Sequence, residues 1–188
     1  MKTKKLFYLF AAMVLSFGVV SCGDDEDPVM GDKSDLIGSY AGDEFVYLTN
    51  MIRDTAKLSP TIRFERYSQD ADRLSVSTND LGTGILASSF RISKDSYTFN
   101  MAAITLNGLQ GNEIPTYITN WFTGTGGLYT SLDKIDLKLT STSGKFDRTT
   151  NKMDFIYKGD LIIYPRVGTD LQSPQTHKIE FKYSSLRK

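Results

Sequence analysis

Apolar and polar residues alternate along most of the chain after residue 60. In the longest such run, five apolar residues share one face: Met153, Phe155, Tyr157, Leu161 and Ile163. A period of two is typical of a β-strand with one buried face. Within this run Gly159 predicts a bulge or a bend, and Pro165 predicts the end of the strand.

The same pattern recurs in shorter segments on both sides of this strand. Residues 134–141 predict its antiparallel neighbour, Phe146 falls on a short piece between the two, and residues 178–183 predict a final strand. Upstream, four segments alternate in the same way and are separated by turn-forming residues: 61–67, 72–78, 85–93 and 96–106. Strands at this spacing favour a mainly β domain, either an antiparallel barrel or a β-sandwich.

Two segments depart from the alternation and predict one or two short helices. Residues 50–58 predict a short helix or a loop before Pro60. Further along, five apolar residues follow the spacing of one helical face: Ile114, Tyr117, Ile118, Trp121 and Phe122. Pro115 suits the start of such a helix and Gly124 its end. The β-branched residues of the same segment favour a strand, so both structures stay open.

The N-terminus carries a different pattern. Lys2, Lys4 and Lys5 precede an apolar run over residues 6–20, which leads into Cys22, the only cysteine of the chain. This order resembles the bacterial lipoprotein signal, which implies cleavage before Cys22 and acylation of its thiol. Two or three acyl chains hold a protein on a membrane far more firmly than one chain. We therefore expect residues 1–21 to be a signal peptide; a plain secretory signal or an uncleaved anchor is the alternative.

An acidic segment follows the expected lipid anchor. Asp24, Asp25, Glu26 and Asp27 resemble the surface-export signal of Bacteroidota lipoproteins, which implies an outer-membrane protein that faces the outside of the cell. Retention in the periplasm is the alternative. Because the segment is like-charged and polar, we expect residues 22–35 to form a disordered tether. Residues 36–188 are then a single β domain.

The charge of that domain limits its partners. From Leu36 onward the chain has 16 acidic and 18 basic residues, with no basic run. Nucleic-acid binders carry a clustered basic surface, so we expect no nucleic-acid partner. The membrane, reached through the lipid anchor, is the expected partner, and the sequence leaves the oligomeric state open.

Candidate catalytic chemistry is sparse. His177 is the only histidine, and no nucleophile-elbow, metalloprotease or phosphate-loop motif occurs. We expect no metal site and no cofactor, because the usual zinc ligands are absent and the acids lack the spacing of a calcium loop. A hydrolase with two facing carboxylates stays open, since sequence alone does not show which acids meet in space.

Two further patterns concern modification and binding. The tripeptide that contains Thr55, Asp-Thr-Ala, resembles the short site at which Bacteroidota attach O-glycans to exported proteins, and a chance match is the alternative. Tyr117, Trp121 and Phe122 are candidates for stacking on a ligand, and filling the core is the alternative role of these side chains.

The opening of the domain resembles uncharacterised Bacteroidota surface lipoproteins with lipocalin-like or calycin-like β domains. Gly38, Tyr40 and Gly42 match a G-x-Y-x-G start, with Tyr in place of the lipocalin Trp, and residues 144–157 resemble a hairpin of such proteins. The resemblance implies a lipocalin-like barrel that binds a lipid or another small apolar ligand without catalysis. The alternative function is a glycan-binding or assembly component of a surface nutrient-uptake system.

Overall fold

Strands dominate the computed structural model, which describes residues 33–49, 55–79 and 81–188. The strands are β1 (Gly38–Leu48), β2 (Thr55–Leu58), β3 (Thr61–Arg66), β4 (Leu74–Thr78), β5 (Gly82–Ile92), β6 (Ser96–Met101), β7 (Ile104–Leu109), β8 (Ser131–Leu139), β9 (Thr142–Asp147), β10 (Lys152–Val167), β11 (Asp170–Leu171) and β12 (Gln175–Arg187). An α-helix, α1 (Thr116–Thr123), and two 3-10 helices (Lys33–Leu36 and Gly111–Glu113) accompany them. Cys22 and residues 24–27 lie outside the described residues, so the acylation and the export signal stay predictions.

Eight antiparallel strands close into a barrel. Around the barrel the order is β1, β3, β4, β5, β6, β9, β10 and β12, and β12 pairs again with β1. The structure therefore confirms the predicted antiparallel β domain. It is consistent with a lipocalin-like barrel rather than a β-sandwich, since the ring of strand pairs is complete.

Strands β1 and β10 of the barrel continue past it and pair there with further strands. The second half of β1 pairs with β2, the second half of β10 pairs with β8, and β8 pairs with β7. Helix α1 packs against β8. We call the end of the barrel at the 3-10 helix Lys33–Leu36 the proximal end, and the end that carries α1 the distal end.

The barrel interior is filled by its own side chains. Seven large residues there are at most 2% exposed: Tyr40, Phe64, Tyr97, Phe99, Met101, Phe146 and Tyr183. The ring of Phe64 lies edge-on to those of Tyr40 and Phe99, with both centroid distances 5.7 Å, a favourable aromatic geometry. A ligand cavity would leave the side chains around it accessible to water. The interior formed by these residues is therefore a packed core.

The chain seals the proximal end as it enters the barrel. Leu36 is fully buried, and its carbonyl oxygen accepts a hydrogen bond from the Tyr40 hydroxyl at 2.9 Å. The Asp35 carboxylate accepts a hydrogen bond from the Arg148 guanidinium, also at 2.9 Å. Residues 33–35, which the sequence places in the expected tether, therefore contact the barrel.

Strand β10 differs from its prediction at two residues. Pro165 does not end it, because β10 continues to Val167 with a register shift against β8 between Tyr164 and Pro165. Such a shift accommodates a residue that has no N–H to donate. Gly159 pairs in regular register with Leu139, so the expected bulge does not occur there. Glycine is needed instead for close approach, since a Cβ atom would lie 2.8 Å from the Leu139 Cα.

Two other segments also differ from the sequence prediction. Residues 96–106 form two strands, because β6 pairs with β5 and β9 whereas β7 pairs with β8. Within segment 50–58, Thr55–Leu58 is strand β2 and not a helix or a loop, because it pairs with residues 44–47 of β1. Residues 50–54 lie outside the described part of the chain. Of the two structures left open for the segment after Pro115, the chain forms the helix, α1, which ends before Gly124.

Candidate functional site

A cleft of about 490 Å³ opens at the distal end, beside the N-terminus of α1. Its walls come from β1, from the β2–β3 and β4–β5 connections, and from the segment that leads into the helix. We call it the distal cleft. Its polar and aromatic lining consists mainly of Glu44, Asn79, Asn112, Glu113, Thr116 and Tyr117.

Local hydrogen bonds hold the loops that form this cleft. The Thr78 hydroxyl oxygen accepts a bond from the Leu81 backbone N–H at 2.9 Å, and this bond shapes the connection next to Asn79. The Glu113 carboxylate accepts a bond from the Gln110 backbone N–H at 3.1 Å, at the start of the second 3-10 helix. These bonds preform the cleft, as is usual for small-molecule sites.

The surface of the cleft is mixed, since Leu58, Pro60 and Pro115 contribute apolar surface beside several polar groups. Asn79, Asn112, Glu113 and Thr116 are all exposed. An amide donates and accepts hydrogen bonds, a hydroxyl does both, and a carboxylate accepts them. This combination matches a ligand that carries several hydroxyl groups, and it would be costly to cover with an apolar ligand.

The structure separates the three aromatic residues that the sequence grouped together. Tyr117 is half-buried and lines the distal cleft. Trp121 is half-buried beside it, with ring centroids 5.2 Å apart and planes inclined at 63°. Phe122 is 5% exposed and belongs to the core, where its ring lies 4.8 Å from that of His177. Only Tyr117 of the three is placed to contact a ligand in this cleft.

Glu44 is the residue of this region that sequence reasoning missed. It lies on β1 in phase with the inward residues Tyr40, Val46 and Leu48, and none of its surface is exposed. A buried carboxylate needs a polar environment. The interior directly behind the distal cleft is therefore more polar than the rest of the core. The sequence signal for this residue is an acid at an inward position of an alternating apolar run.

The tyrosines with raised pKa values lie on the barrel strands. Burial raises the pKa of Tyr40 and of Tyr157 well above the ordinary phenol value. Burial and a hydrogen bond donated to the Glu180 carboxylate raise the pKa of Tyr47 to about 12. These groups stay protonated at neutral pH and act as hydrogen-bond donors within the wall.

The remaining candidate residues lie apart from the distal cleft. Thr55 is exposed at the first residue of β2, so its hydroxyl is accessible for modification, whereas Asp54 lies outside the described residues. Within residues 33–49, 55–79 and 81–188, no group of three or more His, Cys, Asp or Glu side chains is arranged to hold a metal ion. Over the same residues, no helix has both the length and the apolar character needed to cross a membrane.

Comparisons with protein-family models, with curated proteins and with solved structures found no match to this chain. The resemblance to Bacteroidota surface lipoproteins therefore stays a prediction from the sequence.

Proposed function

We propose that this chain is a surface-anchored lipoprotein whose β domain binds a glycan in the distal cleft, without catalysis. The observation that carries the proposal is the set of exposed amide, hydroxyl and carboxylate groups beside the half-buried ring of Tyr117. A sugar has hydroxyl groups around its rim and an apolar face of C–H groups. The polar side chains suit the rim, and the aromatic ring suits the apolar face.

The N-terminal pattern supports the location. The described fold begins at Lys33, eleven residues after Cys22. Fully extended, that segment reaches at most about 40 Å. A lipid on Cys22 would hold the barrel close to the outer membrane, where a glycan-binding domain serves a surface nutrient-uptake system.

The state of the two cleft acids supports binding rather than hydrolysis. A glycosidase needs two carboxyl groups that both face the scissile bond. Glu44 has no exposed surface, and Glu113 accepts a backbone hydrogen bond at the start of a 3-10 helix. Because Glu44 is buried, the two carboxyl groups cannot both face a sugar without a rearrangement of the cleft.

A small apolar ligand is the second candidate, and one observation favours it. Leu128, Val167 and Leu171 are 80%, 48% and 54% exposed. Leu128 lies in the segment between α1 and β8, whereas Val167 and Leu171 lie at the end of β10 and in β11. The Thr130 N–H donates a hydrogen bond to the Arg166 carbonyl oxygen at 2.9 Å, which joins the two segments. This surface lies outside the packed barrel. Native mass spectrometry with a lipid extract would show a specific adduct that the double variant Leu128→Ser/Leu171→Ser loses. An unmodified mass would remove this candidate.

A glycan array tests the main proposal. The chain from residue 22 onward, with Cys22→Ser, should bind a defined subset of glycans. Asn112→Ala should weaken that binding about fivefold, as expected for one hydrogen bond. Tyr117→Ala should weaken it tenfold or more, at the scale of an aromatic contact at the centre of a binding site.

The matched control for that experiment is Tyr129→Ala, which removes another half-buried tyrosine of the distal end that does not line the cleft. The control should bind as the unchanged chain does. Equal losses in Tyr117→Ala and Tyr129→Ala would place the binding outside the cleft, and no binding to any glycan would overturn the proposal.

A further inference from the structure

A second cleft lies at the opposite end of the barrel from the proposed glycan site. It has a volume of about 500 Å³ and opens between the 3-10 helix Lys33–Leu36 and the turn that joins β3 to β4. Ile37 and Leu74 contribute apolar surface to it. Three cationic side chains, Lys33, Arg66 and Arg73, also line it. We call it the proximal cleft.

The three cations differ in how they are held. Lys33 pairs with Asp72 at 3.6 Å, and Arg73 pairs with Asp70 at 3.0 Å. Arg66 is exposed, and its guanidinium has no hydrogen bond or ion pair with any residue that the structure describes. Its guanidinium offers five donors in a planar fork that matches a phosphate group. The Arg66 guanidinium can therefore bind an anion in the cleft without breaking an ion pair, and it lies near two cations that acidic neighbours hold in place.

The whole proximal end shares this charge. Segments 33–36, 66–73, 92–96, 147–152 and 187–188 meet there, and together they carry eight cationic and five acidic side chains. The distal loops 110–115, 124–130 and 168–174 carry Glu113 and Asp170 and no lysine or arginine. Among the described residues the proximal end therefore has an excess of cations, whereas these three distal loops carry only acids. The segment that precedes Lys33 is itself acidic, with Asp24, Asp25, Glu26, Asp27 and Asp32.

The direction of the chain places the positive end next to the membrane. Cys22 precedes Lys33 by eleven residues, and Lys33 contributes to the proximal cleft itself. A lipid anchor on Cys22 would therefore hold this end of the barrel nearer to the lipid headgroups than the distal cleft. Anionic headgroups attract cations within about one Debye length of the surface, roughly 10 Å.

We propose that the proximal cleft binds the phosphate of anionic lipid headgroups, so that the barrel stands on the membrane with its distal cleft facing outward. This inference rests on the lipid anchor of the proposed function. It adds a binding site and an orientation, which a single attachment point at Cys22 does not fix.

Sedimentation with vesicles tests the site without the anchor. The chain from residue 22 onward, with Cys22→Ser, contains every strand of the closed barrel. It should bind vesicles that contain phosphatidylglycerol and not vesicles of phosphatidylcholine alone, and salt should weaken the binding. Arg66→Gln/Arg73→Gln should lower the partition coefficient about 25-fold, from about fivefold for each cation removed near the surface.

The matched control removes the same charge from strands that form no part of the proximal end, by Lys57→Gln/Lys134→Gln. It should bind nearly as well as the unchanged chain. If both double variants lost the same amount of vesicle binding, the binding would depend on net charge alone. That result would overturn the proposal that the proximal cleft is the binding site. Because Arg66 is exposed, Arg66→Gln alone keeps the test valid if the double variant does not fold.

Two further results would also overturn the proposal. Equal binding to both vesicle types would show that the phosphate charge is not recognised. Failure of excess inorganic phosphate to displace the chain at constant ionic strength would show that the cleft does not recognise the phosphate group of the headgroup. Glycan binding by the same preparation does not depend on any of these outcomes, so failure here is distinct from failure of the proposed function.

Discussion

Replacing Phe64 by alanine tests whether the barrel is a packed core. Phe64 is fully buried and lies edge-on to Tyr40 and Phe99, at 5.7 Å from each. A buried Phe→Ala change costs about 3–5 kcal/mol through lost transfer energy and the hole left behind. Because Phe64→Ala also removes two aromatic contacts, we expect a loss near the upper end of that range, about 4–5 kcal/mol of unfolding free energy. With a urea m-value of about 2 kcal/mol/M, the unfolding midpoint should fall by about 2 M.

The assay is urea unfolding followed by far-UV circular dichroism and by the fluorescence of Trp121, the only tryptophan. Phe45→Ala is the matched control, because Phe45 is half-buried on the outer face of β1. Phe45→Ala should lower the free energy of unfolding by about 1 kcal/mol, because only part of the ring is buried and its removal leaves no cavity. A loss below about 1.5 kcal/mol for Phe64→Ala would refute the packed interior, because a ring that lines an open cavity leaves no new hole when it is removed.

Three further predictions concern the backbone, the tyrosines and a surface ion pair. Gly159→Ala should lower the free energy of unfolding by about 1–3 kcal/mol in thermal unfolding, because its Cβ would press on the backbone of β8, and unchanged stability would contradict this. The pKa values of Tyr40 and Tyr157 are raised in the folded chain. Their contribution to the free energy of unfolding is therefore complete below about pH 10 and is lost as the pH rises through the folded pKa values. A near-UV titration should therefore show ionisation of these phenols together with unfolding, and ionisation in the folded state at the ordinary pKa would contradict the burial. A double-mutant cycle on Asp35 and Arg148, whose side chains are 47% and 40% exposed, should give a coupling below about 1 kcal/mol.

The sequence predicted the strands best where one face of each is buried. In β10 the inward residues Met153, Phe155 and Tyr157 alternate with exposed or half-buried ones. Over residues 178–183 the final strand alternates in the same way except at Glu180, which is also buried. Such alternation reflects a local property, the pleat of the strand, so it can be read without knowledge of the partners. The alternation does not show which strands pair. Closure of the barrel depends on the pairing of β1 with β12, so the sequence could not distinguish a barrel from a sandwich.

The sequence failed where a distant partner decides the local structure. Pro165 predicts the end of β10, yet β10 stays paired with β8 beyond it because the register shifts between Tyr164 and Pro165. Gly159 looked like a bulge, yet its role is set by the backbone of β8, which approaches it closely. Residues 55–58 had no clear pattern of their own and became a strand because β1 offered an edge.

The candidate site was only partly visible in the sequence. The helical spacing correctly placed Tyr117 and Trp121 on α1, but it could not show that Phe122 turns toward His177 in the core. Asn79 and Asn112 come from loops far apart in the sequence, and their convergence depends on the strand order. Glu44 left a recognisable signal, an acid at an inward position of β1.

The most direct test of the glycan proposal is a fluorescence titration of Trp121 with the glycan that binds best on the array. Trp121 lies 5.2 Å from Tyr117, so a sugar on the Tyr117 ring should alter its emission. We expect a saturable change whose dissociation constant rises about fivefold in Asn112→Ala. No change of emission on binding, or a dissociation constant that Asn112→Ala leaves unaltered, would contradict a glycan site in the distal cleft.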